Sequence, residues 1–413
     1  MEYHPVVIIG AGIAGLSCAA YLAKAGQPFL LLEGSNGVGG RVRTDRYKGY
    51  LLDRGFQIFL TDYPEARKLL NYEALQLKAF RSGALIKQEH NFIQVVHPVK
   101  EPNQVFSTLL SQVCTLPDKL RILKLAAQTA GLTDEQLLQG NSRSTLTYLQ
   151  QQGFSDKIIN TFFIPFFGGV YLDRDLKTSS SFFRFIFKYF AKSEVTLPAE
   201  GIEAIPAQLA GKLPPGTIRT ESLVESVTPD NELLLANGQP VKARIVVLAT
   251  DAAATARLLG EETPVVFNQT TCTYFSADES PNKARLLMLN PNSQSVVHNL
   301  SVPSDICPNY APTGKALISV STHGAHGLSP ENLAHQIKEE LRGWFGEPVE
   351  SWRYLRTYFI PEALPPTAPN PAHPAVQLAP NRYQCGDYTA YPSLNAAMAT
   401  GRMVAEAITG KNF

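Results

Sequence analysis

Apolar residues in this chain follow three spacings, and each spacing predicts a different kind of element. Val6-Val7-Ile8-Ile9 and Phe29-Leu30-Leu31-Leu32 are short unbroken runs, the pattern of strands buried on both faces, with a helix opening near Ile13 between them. From Ile218 to Thr250 the segments IRTESLVESV, ELLLANGQPV and ARIVVLAT predict a strand meander, turning at Pro229-Asp230-Asn231 and returning as a buried strand. Alternating segments TCTYFSA, ARLLMLN, SVVHNLS, KALISVS and WRYLRTYFI make residues 264–360 strand-rich, broken by a helix from about Pro330 to Phe345. Residues 103–192 carry helical spacing. Pro117 starts one helix with Leu120, Leu123 and Ala127 inward, Ser144 caps a short helix stopped by Gly153, and Ser155 caps the next. After a proline-rich connector, Pro361 to Pro374, a strand ends at Gly386 and a helix of small residues runs to about Ile408, with Gly410 as its stop.

The chemistry lies at the turns. Gly10, Gly12 and Gly15 stand between the first strand and its helix: Gly10 permits the tight turn, Gly12 lets a pyrophosphate approach bare backbone, and Gly15 lets the helix close on the sheet. The helix N-terminus offers unpaired N–H groups and partial positive charge to phosphates. Glu33 ends the next strand, roughly twenty residues on, where a carboxylate accepts both adenosine ribose hydroxyls and disfavours a 2'-phosphate. A second glycine turn, Gly37-Val38-Gly39-Gly40-Arg41, lets the chain fold back over the pyrophosphate, with the Arg fork to neutralise it. That addition points to FAD rather than NAD. No second dinucleotide motif follows Gly40, so oxygen, a quinone or another acceptor is expected to reoxidise the flavin.

On these residues, and on Gly386-Asp387 near the C-terminus, the chain resembles the amine-oxidase-like FAD superfamily of monoamine and polyamine oxidases, protoporphyrinogen oxidase and phytoene desaturases. The resemblance covers most of the chain in order and implies an α/β fold, a discontinuous Rossmann-like FAD-binding domain interleaved with an α+β substrate-binding domain. The expected boundaries are residues 1–80, 195–260 and 375–413 for the first, and 81–194 (helical) with 261–374 (strand-rich) for the second. Motifs and resemblance together mark Gly10, Gly12, Ile13, Ala14, Gly15, Glu33, Gly34, Gly39, Gly40 and Arg41 as cofactor-contacting. Val224 stands on the adenine side and Ala249 at the strand end beside the cofactor, although an ordinary hairpin explains their alternation equally well. Asp387 faces the ribityl or phosphate region, and Ser393, Leu394 and Ala397 open a helix whose positive end aims at the flavin's pyrimidine edge. Gly55, Phe56 and Gln57 resemble the segment under the isoalloxazine ring; the alternative for Asp53-Arg54 is a local ion pair in a turn.

Pocket candidates are Tyr388 and Tyr391, then Phe166, Arg356 and Tyr358. The aromatic run Phe162 to Tyr171 reads as core or as the wall of a flat pocket, and Leu197 to Ile202 as re-entry into the FAD domain. Phe182 to Phe190 reads as a buried helix or as a segment lying on a membrane surface. The lysine and aromatic cage of amine oxidases have no evident match, nor does the cysteine that links flavin covalently, so noncovalent FAD is expected. His298, His323 and His326 show no ligand geometry for a metal, and none is expected.

Composition narrows the field. At 413 residues, 44% hydrophobic and 18% charged, the chain suffices for two or three domains, and a net charge of +1 gives no case for nucleic acid. Five scattered cysteines without a C-x-x-C pair, and a first strand starting at Pro5 or Val6, fit reduced thiols in a cytoplasmic protein without a leader peptide. The functions left open are an FAD-dependent oxidoreductase acting on a C–C or C–N bond of a small or lipophilic substrate, a redox-neutral isomerase using reduced flavin, and a non-enzymatic prenyl-binding carrier.

Overall fold

The computed structural model describes residues 2–89, 91–96, 113–139, 142–261, 266–369 and 375–413. Its first layer is an eight-stranded sheet whose parallel core runs Ile218–Arg219, Leu30–Leu32, Glu2–Ile9, Pro240–Leu248 and Arg382–Gln384. Val6, Val7, Ile8, Val246, Val247 and Leu248 are fully buried, as the unbroken apolar runs require of strands covered on both faces. The helix Ile13–Ala25 follows the first strand and ends at Gly26 in a left-handed cap. The expected meander is shorter than its sequence pattern. Ile218–Arg219 pairs in parallel with Leu30–Leu32, and only Val224–Val227, Glu232–Leu235 and Pro240–Leu248 run back and forth.

The second layer is a seven-stranded sheet ordered Arg353–Leu364, Asn268–Ala277, Ala316–His323, Asn299–Ser301, Leu287–Leu289, Gly83–Lys87 and Phe92–Val96. The helix Pro330–Phe345 begins at Pro330, capped by Ser329, and packs Leu333, Ala334, Ile337 and Leu341 on one face beside Phe275, Ile318 and Val320. The opposite face carries Cys272, Tyr274, Asn299, Ser301, Ser319, Ser321 and His323, because alternate residues of paired strands share a side. Two features depart from the sequence pattern. The hairpin 83–96 opens the segment expected to be helical and joins this sheet in parallel with Leu287–Leu289. The connector starts late, since strand Arg353–Leu364 runs through Pro361; Asn370 to Pro374 lie outside the described residues, as do residues 103–112 of the helical segment.

Helices fill the space above the polar face. Ser144 caps Thr145–Gln151 and Ser155 caps the next helix, each side chain accepting a backbone N–H three residues on. Ser180–Lys192 buries Phe182, Phe183, Phe185, Ile186 and Tyr189, so the aromatic stretch is a core helix. The helix Leu116–Ala130 is rotated from its expected face: Leu120 and Leu123 are 63% and 55% exposed, Ala127 is exposed too, and Asp118, Leu125 and Thr129 point inward. Asp118 explains the rotation. Its carboxylate accepts from the Thr115 and Ser155 backbone N–H groups and from both hydroxyls, which pins the helix by a buried polar anchor that apolar spacing does not register. No helix among the described residues is long and apolar enough to cross a membrane.

Candidate functional site

The first glycine turn is compressed against the strand that returns beside it. Gly10 has φ of 103°, and a Cβ there would stand 2.8 Å from the Ala249 carbonyl oxygen; a Cβ on Gly15 would run into the Gly10 carbonyl. Ala249 thus lies beneath the turn, while Ile13 and Ala14 begin the helix above it. No atom lies within 4 Å of where a Cβ on Gly12 would stand, so a diphosphate can reach backbone there. The second turn lies directly over the first: Gly39 pairs with Gly12 as an isolated bridge and donates its N–H to the Ala11 carbonyl at 2.8 Å. A Cβ on Gly40 would stand 3.3 Å from Gly12 Cα. Glu33 is held in a fixed plane, one carboxylate oxygen accepting from Ala11 N–H and the other from Ser35 N–H, each at 2.8 Å. Gly34 packs on Leu223, and Ser222 donates its N–H to the Glu33 carbonyl, which brings the start of the Val224 strand alongside Glu33.

Arg41 joins this turn to the far end of the chain. Its guanidinium donates to Asp387 Oδ1 at 2.6 Å and to the Ala363 carbonyl at 2.9 Å, while Gln57 Nε2 donates to the Arg41 carbonyl. Asp387 is buried in a single turn after Gly386, whose N–H donates to Thr400 Oγ1. Gly55 lies against Ile360, and Phe56 stands edge-on to Phe80. The last helix, Leu394–Thr409, is capped by Ser393, which accepts the Ala396 N–H, and Ala397 donates to the Ser393 carbonyl. That helix crosses the first one at Gly401, where a Cβ would strike the Ala14 carbonyl. Two glycine turns, a fixed carboxylate and an Arg–Asp pair therefore converge from three separate stretches of the chain, and this donor set fits a flavin dinucleotide.

The five pocket candidates separate. Tyr391 lies among Phe182 and Phe185, at 5.7 and 4.7 Å between ring centres, with its hydroxyl bonded by Asn395. Tyr388 directs its hydroxyl to Thr255 and Gln384. Phe166 stacks with Phe162 and faces Ile93, Val95 and Leu289 of the second sheet. Arg356 and Tyr358 both bond Asp45, which also receives Arg54; these side chains fasten the second sheet to the strand Thr44–Tyr47. Asp53 and Arg54 are not each other's partners. Asp53 is buried and accepts from Thr44 Oγ1, Ile202 N–H and the Tyr310 hydroxyl, and burial raises its carboxyl to about 6 against the pull of those donors.

Sequence reading missed the buried polar cluster beneath the helical roof. His298 and His323 stack edge-to-face with ring centres 4.1 Å apart. Burial lowers both imidazoles, His323 to about 4, so both are neutral at pH 7. The signal was present in the alternation: Asn299 and Ser301 on one strand and Ser319, Ser321 and His323 on the next occupy every second position, a polar stripe on a buried face. Only the pairing Asn299 to Ser321 shows that the stripes meet.

Comparison with known proteins matches residues 13–409 to the family model described as flavin containing amine oxidoreductase. An L-amino acid oxidase, Cdc18, from Crotalus durissus cumanensis is 45% identical over 75 residues, 18% of this chain and 15% of that protein. A 15-cis-phytoene desaturase from Narcissus pseudonarcissus is 30% identical over 38% of this chain and 30% of its own length. The matched stretches thus span under a third of these curated relatives. An oxidoreductase from Methanosarcina mazei has the same fold, with a TM-score of 0.74 at 20% identity, covering 97% of this chain and all of that one. With the two glycine turns, Glu33 and the Arg41–Asp387 pair in place, the family match settles the assignment: this chain belongs to the flavin containing amine oxidoreductases.

Proposed function

We propose that this enzyme removes hydride from a C–N or C–C bond of a small or lipophilic substrate, with oxygen, a quinone or another acceptor reoxidising the cofactor. The observation that carries this reading is the doubled glycine turn closed by Arg41 and Asp387, a single dinucleotide grip reaching from residue 10 to residue 387. Bound FAD supplies the hydride acceptor. Glu33 would hold the ribose, the Gly10 to Gly15 turn and Arg41 would hold the diphosphate, and the capped N-terminus of Leu394–Thr409 would present partial positive charge to the ring. The helical roof, with Phe162, Phe166, Phe167 and Phe190 in mutual contact, excludes water from the polar sheet face.

Purified protein, freed of oxygen, is to be titrated with amines, with polyenes and with reduced tetrapyrroles while the visible spectrum is recorded. Bleaching of the flavin band by one class supports oxidation and names the substrate; a flavin band that no class bleaches counts against it.

A further inference from the structure

The polar cluster on the second sheet holds buried polar atoms that no group among the described residues pairs. His298, Asn299 and Ser301 are 2%, 5% and 0% exposed, yet His298 Nε2, Asn299 Oδ1 and Ser301 Oγ have no hydrogen-bond partner among the described residues, and neither has His323 Nε2. Buried polar atoms are ordinarily paired, because each one left unpaired costs about 1 to 3 kcal/mol. Four unpaired atoms on neighbouring residues point to a ligand that pairs them. The backbone of the helix above packs directly on two of these residues. A Cβ on Gly169 would stand 2.9 Å from His298 Nε2 and 3.0 Å from Asn299 Nδ2, so any other residue there would press on both groups. The approach to Gly169 starts with the wider helical turn Ile159–Phe163, where Ile164 donates to the Ile159 carbonyl five residues back, followed by Pro165.

The chemistry of the atoms defines the ligand. His298 directs its other ring nitrogen toward the Pro165 carbonyl, so Nε2 carries a lone pair and accepts; Asn299 Oδ1 also accepts. The site therefore asks for donors. Arg174 is the cation that acts on both rings; it donates to the Ser293 and Ser295 carbonyls and helps keep both imidazoles neutral. An ammonium group would be repelled by it. We infer that His298, Asn299 and Ser301, beneath Gly169, bind an uncharged hydroxyl or amide group of the substrate, and that His323 borders this site. The inference rests on the flavin-dependent reading above. Asn299 pairs across Ser321, Ser321 across Cys272 and Cys272 across Tyr358, so the site is three strand spacings, roughly 14 Å, from the strand whose Ile360 lies against Gly55.

The test uses FAD-loaded enzyme and two probes, trans-cyclohexane-1,2-diol and its dimethyl ether, which differ in having or lacking O–H donors. Binding is followed by perturbation of the flavin spectrum and by the 15N resonance of His298 Nε2, neither of which requires turnover. The expected result is at least tenfold tighter binding of the diol, a ratio that falls to within twofold in Asn299→Leu, and a shift of the His298 Nε2 resonance on saturation with diol. Equal binding of both probes to the native enzyme overturns the proposal, as does an unchanged ratio in Asn299→Leu. Should Asn299→Leu fail to fold, an Nε2 resonance unmoved by saturating diol in the native enzyme overturns it alone. Normal diol binding with no substrate ever bleaching the flavin would instead count against the oxidation reading and leave this site standing.

Discussion

The charge state of two buried imidazoles sets part of the pH dependence of stability. His298 and His323 are held neutral by burial, with Arg174 reinforcing the effect on both and His326 adding to it at His323. In the unfolded chain each takes a proton near pH 6.5, while folded His323 does so only at about 4. As pH falls from 6.5 toward 4 the unfolded state gains protons that the folded state refuses, so their contribution to stability is complete above 6.5 and is lost through that window. His323→Gln should flatten the fall in Tm between pH 7 and 4.5; parallel curves for variant and native protein would contradict this. Single residues also show where sequence reading stops. Glu33 and Arg41 were legible because the glycine turns beside them mark their positions, whereas the value of His298 depends on a ring 25 residues away that only strand register brings into contact.

Elements whose limits are written in local chemistry came through with their ends intact. Helix Pro330–Phe345 has Ser329 as its cap and proline in its first turn, and helix Thr145–Gln151 has Ser144. Elements defined by distant partners did not: Leu116–Ala130 turned to bury Asp118, and Gly83–Lys87 found its neighbour at Leu287–Leu289. The crossing of the first and last helices belongs to the second kind. Their backbones meet at Gly401, so Gly401→Val must push the helices apart and should cost about 1 to 3 kcal/mol of stability, with lower FAD content at purification. Equal denaturation midpoints for variant and native protein would show that the crossing tolerates a side chain.

The whole molecule depends on holding two sheets in fixed relation, because the dinucleotide grip belongs to one and the buried polar face to the other. Asp45 is one of the fasteners, receiving Arg54, Arg356 and Tyr358 from both sides. These side chains are partly solvated, so Asp45→Ala should destabilise by only about 1 to 2 kcal/mol, yet it should speed proteolysis between the layers and weaken turnover more than FAD binding. Both layers were visible in the chain, the first as strand, glycine turn, helix and strand, the second as alternating segments; which faces oppose each other was not, since that follows from contacts such as Tyr274 to Asp53 and Gly169 to His298. The central claim is that FAD is gripped between the Gly10 to Gly15 turn and the Arg41–Asp387 pair. Its most direct test is the dissociation constant of FAD from native protein, Glu33→Ala and Arg41→Ala at matched ionic strength. Each substitution should weaken binding by about 1 to 3 kcal/mol, roughly five- to 150-fold, with the fold retained; native affinity in both variants would contradict the placement of the cofactor.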